Sequence, residues 1–366
     1  FLSKLNDKKN LSIIDENYES INLALLKKIV KFNSDILNKL GIKNNNTIGI
    51  IMENGPAFVT SFLSNINVCI SAPLNPNYTT SEFRFYFKDL KPRAVITNLK
   101  STHPGLKIAY ALKIPVIRLD KFFFKVDTKT LKKKYKKIKY SNLNDIALIL
   151  HTSGTTSRPK MVALSHKNLL SSAENISKSL KITQEDKNII LMPSFHIHGI
   201  IASILTPLFK GSKIVALPKF NVLSFYNNLR KHNPTWFTAV PTMLQSIIDR
   251  SKNNLKIIKN NKLRFIRSSS ASLPSQIFKN LEKTFKVPVI ESYGMTEATH
   301  QMTSNLLPPK KRKINSVGIA RGLQVGIVDK NFNFLKKTKE GEVVIKGSNV
   351  FKGYLANPKA NKDNFY

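Results

Sequence analysis

The segment HTSGTTSRPK, His151 to Lys160, directly follows the apolar run ALIL and gathers chemistry that polyphosphates use. Thr152, Ser153, Thr155 and Thr156 supply hydroxyls, Gly154 separates them, and Lys160 closes the segment with a cation. Such a loop offers backbone N–H groups, hydroxyl donors and one positive charge to an anion, and glycine lets the backbone come close. The spacing is not that of the G-x-x-x-x-G-K-S/T loop. Hydroxyl-rich loops also occur wherever a chain turns, so composition alone leaves the phosphate loop and the ordinary surface loop both open.

The elements that must position this loop are legible as a change of period. The first ~40 residues read as helix, with Leu23, Leu25, Leu26, Ile29, Val30 and Phe32 forming an apolar stripe. TIGIIMEN, PRAVIT and NDIALILHT are then β-branched runs of strand length, alternating with the helix-like PAFVTSFLSNINVC and TSEFRFYFKDL. This alternation predicts an α/β fold built from βαβ units, with a mostly parallel sheet buried on both faces. The Lys-rich stretch from Lys121 to Lys139 reads as a surface connection. Beyond the loop, KNIILMP, SKIVALP, TWFTAVP, LRFIRSSS and VPVIESYG resume the strand pattern. Ligands of open parallel sheets sit beyond the carboxyl ends of strands, so the residues ending these runs are candidates for a site. After about Asn305 the runs SVGIA, QVGIVDK, NFNFL and GEVVIKG are short and closely spaced, which predicts a small antiparallel barrel or sheet. The expected division is therefore residues 1–305, an α/β core, and residues 306–366, a β-rich subdomain.

Length and composition bound the rest. A chain of 366 residues with 42% hydrophobic residues has enough apolar material for a large core, which excludes a disordered chain. No apolar run approaches the ~20 residues needed to span a bilayer. The single cysteine, Cys69, cannot pair within the chain, and no Cys/His cluster has zinc-finger spacing. The first residues, FLSKLNDKKN, lack a secretory pattern and an initiator Met, so a processed or incomplete start and a reducing, cytoplasmic location are expected. The net charge of +37, from 59 basic and 22 acidic residues, invites a nucleic-acid reading. Lysine is nevertheless spread along the chain beside abundant Asn and Ile, as an AT-rich coding sequence would produce. LKKKYKKIKY (Leu131 to Tyr140) and PKKRK (Pro309 to Lys313) remain candidate contacts for polyanions, or solvated loops.

TSGTTSRPK resembles the phosphate loop of the adenylate-forming enzymes, a superfamily that includes acyl-CoA synthetases, coumarate-CoA ligases, luciferases and the adenylation domains of peptide synthetases. Further segments follow in that family's order: PSFHIHG (Pro193 to Gly199), TAVPT (Thr238 to Thr242), SYGMTEA (Ser292 to Ala298) and GEVVIKGSNVFKGY (Gly341 to Tyr354). Upstream, APLNPNYTTSEFRFYFKDLKPRAVIT is similar to the family's early helix–strand region. The resemblance implies the family's large N-terminal domain, with two parallel-sheet βα lobes and a small β-barrel subdomain. It also implies ATP, Mg²⁺ and CoA as cofactors or co-substrates, and a small carboxylic acid as the partner molecule, with no membrane or specific nucleic acid.

The same resemblance assigns residues. Thr152, Ser153, Gly154, Thr155, Thr156 and Lys160 match the loop that holds the β- and γ-phosphates of ATP. Tyr293 matches the aromatic against adenine, Thr296 the hydroxyl near the α-phosphate, and Glu297 the Mg²⁺ ligand. One carboxylate suffices for Mg²⁺, which otherwise uses phosphate and water. Ser270, Glu291 and Ser292 match positions lining the adenine pocket. The residues expected in the chemistry itself are Lys160, Thr296 and Glu297.

The acid-binding side looks polar. His196 matches a gating position, His300 follows MTEAT, and Ser270 in IRSSSASLP faces the same region. A buried anion needs hydrogen bonds or countercharge, so this trio suits a compact acid with a second carboxylate better than an aliphatic chain. HTSGTTSRPK, with Ser157 where the family loop usually has Gly, together with TWFTAVPT, LRFIRSSSASLP and MTEATHQMTSN, is similar to the oxalate-CoA ligase group. Oxalate contacts are accordingly expected at His196, Ser270 and His300, and His198 reads as structural. Met161 departs from the family's Gly after the loop Lys. The chain ends at ANKDNFY, before the family's G-W-x-x-T-G-D segment and C-terminal lid, so this stretch alone is expected to bind nucleotide and turn over poorly. Three other readings stay open: a ligase for medium-chain or aromatic acids, a non-catalytic or nucleic-acid-binding protein using its basic surface, and a naturally truncated domain that binds without turnover.

Overall fold

Short Ile- and Val-rich runs build two large sheets, and the helices between those runs cover both faces of each. The computed structural model describes residues 5, 8–126, 140–152, 159–336 and 339–365. The first half comprises strands β1 (Ser12–Ile14) and β2 (Ser20–Asn22), helix α1 (Leu23–Lys39), β3 (Thr47–Ile51), α2 (Pro56–Val68), β4 (Ile70–Leu74), α3 (Thr80–Leu90), β5 (Ala94–Thr97), α4 (Pro104–Ala111), β6 (Val116–Asp120), β7 (Phe123–Lys125), β8 (Ile146–Thr152), β9 (Lys160–Ser165) and α5 (His166–Ser179). The second half adds β10 (Lys187–Ile189), a π-helix (Gly199–Leu205), α6 (Thr206–Lys210), β11 (Lys213–Val215), α7 (Val222–His232), β12 (Trp236–Ala239), α8 (Pro241–Asp249), α9 (Leu255–Lys259), β13 (Phe265–Ser268), α10 (Ser275–Phe285), β14 (Val289–Met295) and β15 (His300–Ser304). Strands β16 (Ile319–Ala320), β17 (Gln324–Val328), β18 (Glu342–Lys346) and β19 (Tyr354–Leu355), then α11 (Pro358–Asn364), complete the described elements.

Beside a separate two-stranded antiparallel sheet of β17 and β18, one large sheet runs β19-β9-β8-β4-β3-β5-β6-β7 and the other β16-β15-β14-β13-β12-β10-β11-β1-β2. Their central pairs, β4-β3-β5 and β14-β13-β12-β10, are parallel. The largest apolar core joins the two: Ile48, Ile50 and Leu148 on the first sheet, Ile29 of α1, Phe62 of α2, Ile176 of α5, and Trp236, Phe265 and Ile290 on the second. Trp236 and Phe265 stack across neighbouring strands with ring centroids 5.5 Å apart. The outer faces have their own clusters, Phe83, Phe87 and Leu106 on the first sheet and Phe225, Leu244 and Phe278 on the second. Burial on both faces explains why these strands read as continuous apolar runs rather than alternating ones.

Helix starts are set locally. Thr79 and Glu82 form a reciprocal cap on α3, and Ser165 and Asn168 do the same on α5. Asn168 also donates its amide to the carbonyls of Ser348 (2.9 Å) and Val350 (3.0 Å), tying the start of α5 to the segment before β19.

Three sequence readings need correction. The N-terminal stretch is not helical throughout, since β1 and β2 precede α1 and extend the second sheet through β11; three-residue strands are too short to show a period. The Lys121–Lys139 stretch does not begin as a loop, because Phe123–Lys125 pair with β6 as an edge strand and Phe124 is buried. NFNFL contributes an isolated bridge, Phe334 to Val328, and no strand. Of the two basic clusters, Leu131–Lys139 lies outside the described residues, and in the second Arg312 is paired with Glu282 at 2.9 Å. Among the described residues no helix is long and apolar enough to cross a membrane.

Two stability predictions arise from these contacts. Asp186 is buried and accepts from Arg264 Nε and Nη2 (2.8 Å each), Thr235 Oγ1 (2.6 Å) and the Thr183 N–H (2.9 Å). Asp186→Ala should cost about 2–3 kcal/mol in denaturant melts, since it removes hydrogen bonds to a charged acceptor and strands their donors. An unchanged midpoint would contradict that assignment. Histidines 166, 198, 232 and 300 are buried, and burial above all holds each below the ordinary imidazole range, His166 and His232 at about 4. The unfolded chain binds protons near pH 6.5 that the fold refuses. Stability should therefore fall as pH drops from about 6.5 toward 4. Melting temperatures at pH 7.5 and 5.5 test this, and a flat profile would contradict it.

Candidate active site

Strands β12, β13 and β14 lie side by side and parallel, so their carboxyl ends open on one edge of the sheet. Thr238 near the end of β12, Ser268 to Ser270 at and beyond the end of β13, and Glu291 to Met295 on β14 are thereby brought together. β14 outruns its parallel partner and pairs instead with β15, with a register shift between Tyr293 and Gly294. The shift brings two backbones close: a Cβ on Gly294 would lie 1.6 Å from the His300 carbonyl oxygen. No L side chain fits there without moving β15. Gly294→Ala should cost about 3 kcal/mol by overpacking and should lower nucleotide affinity, measured by melting and titration; wild-type values for both would contradict the close approach.

The turn after β14 presents Thr296 and Glu297, both half-buried. It is held from beneath by Asn349, whose amide donates to the carbonyls of Ala298 (2.8 Å) and Gln301 (3.2 Å), while Thr299 Oγ1 donates to the Asn349 carbonyl (2.7 Å). Thr299 and His300 have φ of 51° and 85°, a left-handed pair that non-glycine residues adopt at a cost, and such strain gathers at functional sites. Tyr354 of β19 donates its hydroxyl to Glu297 Oε1 at 2.9 Å, and the Lys160 ammonium lies 4.9 Å from the same ring. Because β19 pairs with β9, Tyr354 stands between the lysine that opens β9 and the glutamate that follows β14. Glu297 Oε2 has no hydrogen-bond partner among the described residues. A hard carboxylate oxygen left unbonded by the described residues fits a Mg²⁺ ion that draws its other ligands from phosphate and water. Among the described residues no group of three or more His, Cys, Asp or Glu side chains forms a self-contained metal site.

Beside this turn lies a buried polar cluster around Arg267 of β13. Its Nη1 is 3.1 Å from Thr238 Oγ1, 3.1 Å from His300 Nε2 and 3.3 Å from His198 Nε2, and its Nη2 donates to Gln301 Oε1 at 3.2 Å. The His198 and His300 rings stack with centroids 4.5 Å apart. His198 Nδ1 is 2.9 Å from Ser270 Oγ, and its Nε2 is 2.6 Å from Thr238 Oγ1. Arg267 is fully buried, and burial lowers its pKa to about 9; both imidazoles are held well below their usual range, first by burial and then by neighbouring charge. At neutral pH the cluster is thus one guanidinium cation and two neutral imidazoles.

The remaining expected residues fall around these two groups. Thr152 and Lys160 face each other at the mouth of the β8-β9 hairpin, whereas Ser153, Gly154, Thr155 and Thr156 lie outside the described residues. Glu291 is buried, accepts from the Leu273 N–H at 3.0 Å, leaves Oε2 without a partner, and has its pKa raised by burial. Ser292 donates to the Ser268 carbonyl at 3.3 Å, and Tyr293 is exposed. Ser270 is exposed with φ 75°, at the open end of the Arg267 cluster. His196 is exposed against Phe195 and bonds to no member of the cluster. His198, read from the sequence as structural, is buried at the cluster's centre. Arg267, Thr238, Gln301, Tyr354 and Asn349 were not singled out; the signal available for Arg267 was a charged residue directly after the apolar pair Phe265–Ile266 in a strand-like run.

Among known proteins, the chain is 40% identical over 348 residues to an oxalate–CoA ligase of Saccharomyces cerevisiae, covering 87% of this chain and 63% of that protein. It is 37% identical over 373 residues to an oxalate–CoA ligase of Arabidopsis thaliana, covering 99% of this chain and 72% of the relative. The chain thus spans about two thirds of the length of these relatives. In fold it matches ATP-bound MatB from Rhodopseudomonas palustris with a TM-score of 0.88 at 24% identity, over all of this chain and 73% of that one. Residues 5–355 match the model of the AMP-binding enzymes, and the chain belongs to that family.

Proposed function

We propose that the protein is an acid–CoA ligase that adenylates a compact dicarboxylic acid, oxalate in the first place, and passes the acyl group to CoA. The observation that carries this reading is the buried Arg267–His198–His300 cluster, ending at the exposed Ser270, beside the Glu297 turn. A fatty or aromatic acid would gain nothing from a guanidinium, two imidazoles and a hydroxyl, whereas a second carboxylate needs such donors. The kinship with ligases described as acting on oxalate supports the same reading.

In the first step a carboxylate oxygen attacks the α-phosphorus of ATP, forming the acyl-adenylate as pyrophosphate leaves. The second step is thiol attack by CoA on the acyl carbon, with AMP leaving. Thr152, Ser153, Gly154, Thr155, Thr156 and Lys160 are assigned to the departing phosphates, and Thr296 to the α-phosphate. Ser270, Glu291, Ser292 and Tyr293 are assigned to the adenosine side, and Ser270, His300 and the more exposed His196 to the acid. Glu297 would hold Mg²⁺, which supplies charge neutralisation on the phosphate oxygens. The protein's own share is to fix the acid in line with phosphorus and to hold donors in place before charge moves.

The test is CoA-thiol consumption by the full-length protein with ATP and Mg²⁺ on oxalate, malonate, octanoate and coumarate. Turnover confined to oxalate, or to oxalate and malonate, is expected. Turnover on octanoate or coumarate with none on oxalate would reject the dicarboxylate reading and leave the ligase. Silence on every acid, together with salt-sensitive RNA binding, would favour the basic-surface alternative.

A further inference from the structure

Arg267 has no exposed atom, so it cannot itself be the first contact of a solvent-borne acid. Its hydrogen bonds nevertheless dictate what the accessible groups can do. A guanidinium only donates, and a neutral imidazole carries one donor and one acceptor nitrogen. Nε2 of His300, 3.1 Å from Arg267 Nη1, must therefore be the acceptor, and its proton must reside on Nδ1. A proton on His198 Nε2 would likewise face the cation 3.3 Å away, so that nitrogen accepts, from Thr238 Oγ1 at 2.6 Å. Thr238 in turn accepts from Arg267 at 3.1 Å. The His198 proton then resides on Nδ1 and is donated to Ser270 Oγ at 2.9 Å. Ser270, its oxygen already engaged, turns its own proton outward, and Ser270 is the exposed end of the chain.

We propose that Arg267 is a positioning residue: by holding Nε2 of both histidines as acceptors, it converts His300 Nδ1–H and the Ser270 hydroxyl into two fixed donors for the acid's second carboxylate. His300 is almost fully buried, and its Nδ1 makes no hydrogen bond among the described residues, as a donor reserved for a ligand requires. The identity of the ligand rests on the proposed function, whereas the proton positions follow from the geometry alone. His198, fully enclosed between Thr238, Arg267 and Ser270, is the link that transmits the first to the last.

The test separates the two. Long-range ¹H–¹⁵N correlation spectra of the full-length, ¹⁵N-histidine-labelled protein, without acid, should show both His198 and His300 as single Nδ1–H tautomers at pH 7.5. Either one found as Nε2–H overturns the proposal, whatever the substrate proves to be. Arg267→Met should release His300 into a tautomer mixture and raise KM for oxalate at least about tenfold, leaving KM for ATP within twofold. Arg267→Lys, which keeps a donor near the same place, should restore the Nδ1–H pattern and most of the affinity. Both pattern and oxalate KM unchanged in Arg267→Met would overturn the proposal. The predicted pattern with no oxalate turnover would uphold the relay and reject the substrate reading.

Discussion

Replacing Glu297 by Gln is expected to lower ATP- and acid-dependent pyrophosphate release by about 10²–10³-fold, the usual scale for losing one preorganised electrostatic group. The substitution is nearly isosteric, and Gln Oε1 can still accept the Tyr354 hydroxyl that now lies 2.9 Å from the carboxylate. The turn should therefore keep its shape, and the melting temperature should stay within about 2 °C of wild type, because the hydrogen bond survives and only the charge is gone. Raising Mg²⁺ should recover part of the rate, since the variant's defect is metal affinity. A full rate in Glu297→Gln at ordinary Mg²⁺ would remove Glu297 from the chemistry.

His300→Ala is the second large effect. It deletes a proposed acid donor and leaves Arg267 Nη1 with one hydrogen unpaired in a buried site, so specificity should collapse rather than relax. The expected loss in kcat/KM for oxalate is about 100-fold or more, on the scale seen when a site built to bond a polar group loses that bond. Half-reactions that read ATP binding alone should be little changed, because the contacts of the His300 ring are with Arg267 and His198 rather than with Tyr354 or Lys160. Equal losses for ATP binding and oxalate turnover would mean that the substitution acts through β15 and the Gly294 contact, not through the acid.

The fold was legible because buried parallel strands announce themselves as β-branched runs, as TIGII, AVIT and IALIL do here. The edge strands were not. Ser12–Ile14 and Ser20–Asn22 hold only three residues each, too few to show a period; β1 reaches the sheet through β11, some 200 residues away, and β2 joins only through β1. The proposed nucleotide side lies in one contiguous loop of hydroxyls and a glycine, which composition alone left open and the resemblance assigned; Ser153, Gly154, Thr155 and Thr156 lie outside the described residues. The proposed acid side is not contiguous. Arg267 sits at a buried position of β13, in a run where Arg264 is also charged, so the sequence does not tell the inward arginine from the outer one, and its partners come from residues 198, 238, 300 and 301. His198 was set aside because a single buried histidine usually satisfies a backbone group; only the fold shows that its two nitrogens reach Thr238 and Ser270. Tyr354 escaped notice for a related reason. Its hydroxyl matters through Glu297, fifty-seven positions earlier in sequence, and that pairing depends on β19 joining β9.

The central claim is that the Arg267 cluster recognises a second negative carboxylate. The most direct measurement is isotopic ATP–pyrophosphate exchange by the full-length protein on oxalate and on monomethyl oxalate, which has the same two-carbon frame with one charge masked. Exchange on oxalate at least about 100-fold faster than on the ester is the result this site predicts, since its donors would otherwise be left unpaired. Equal exchange on the two acids would contradict it.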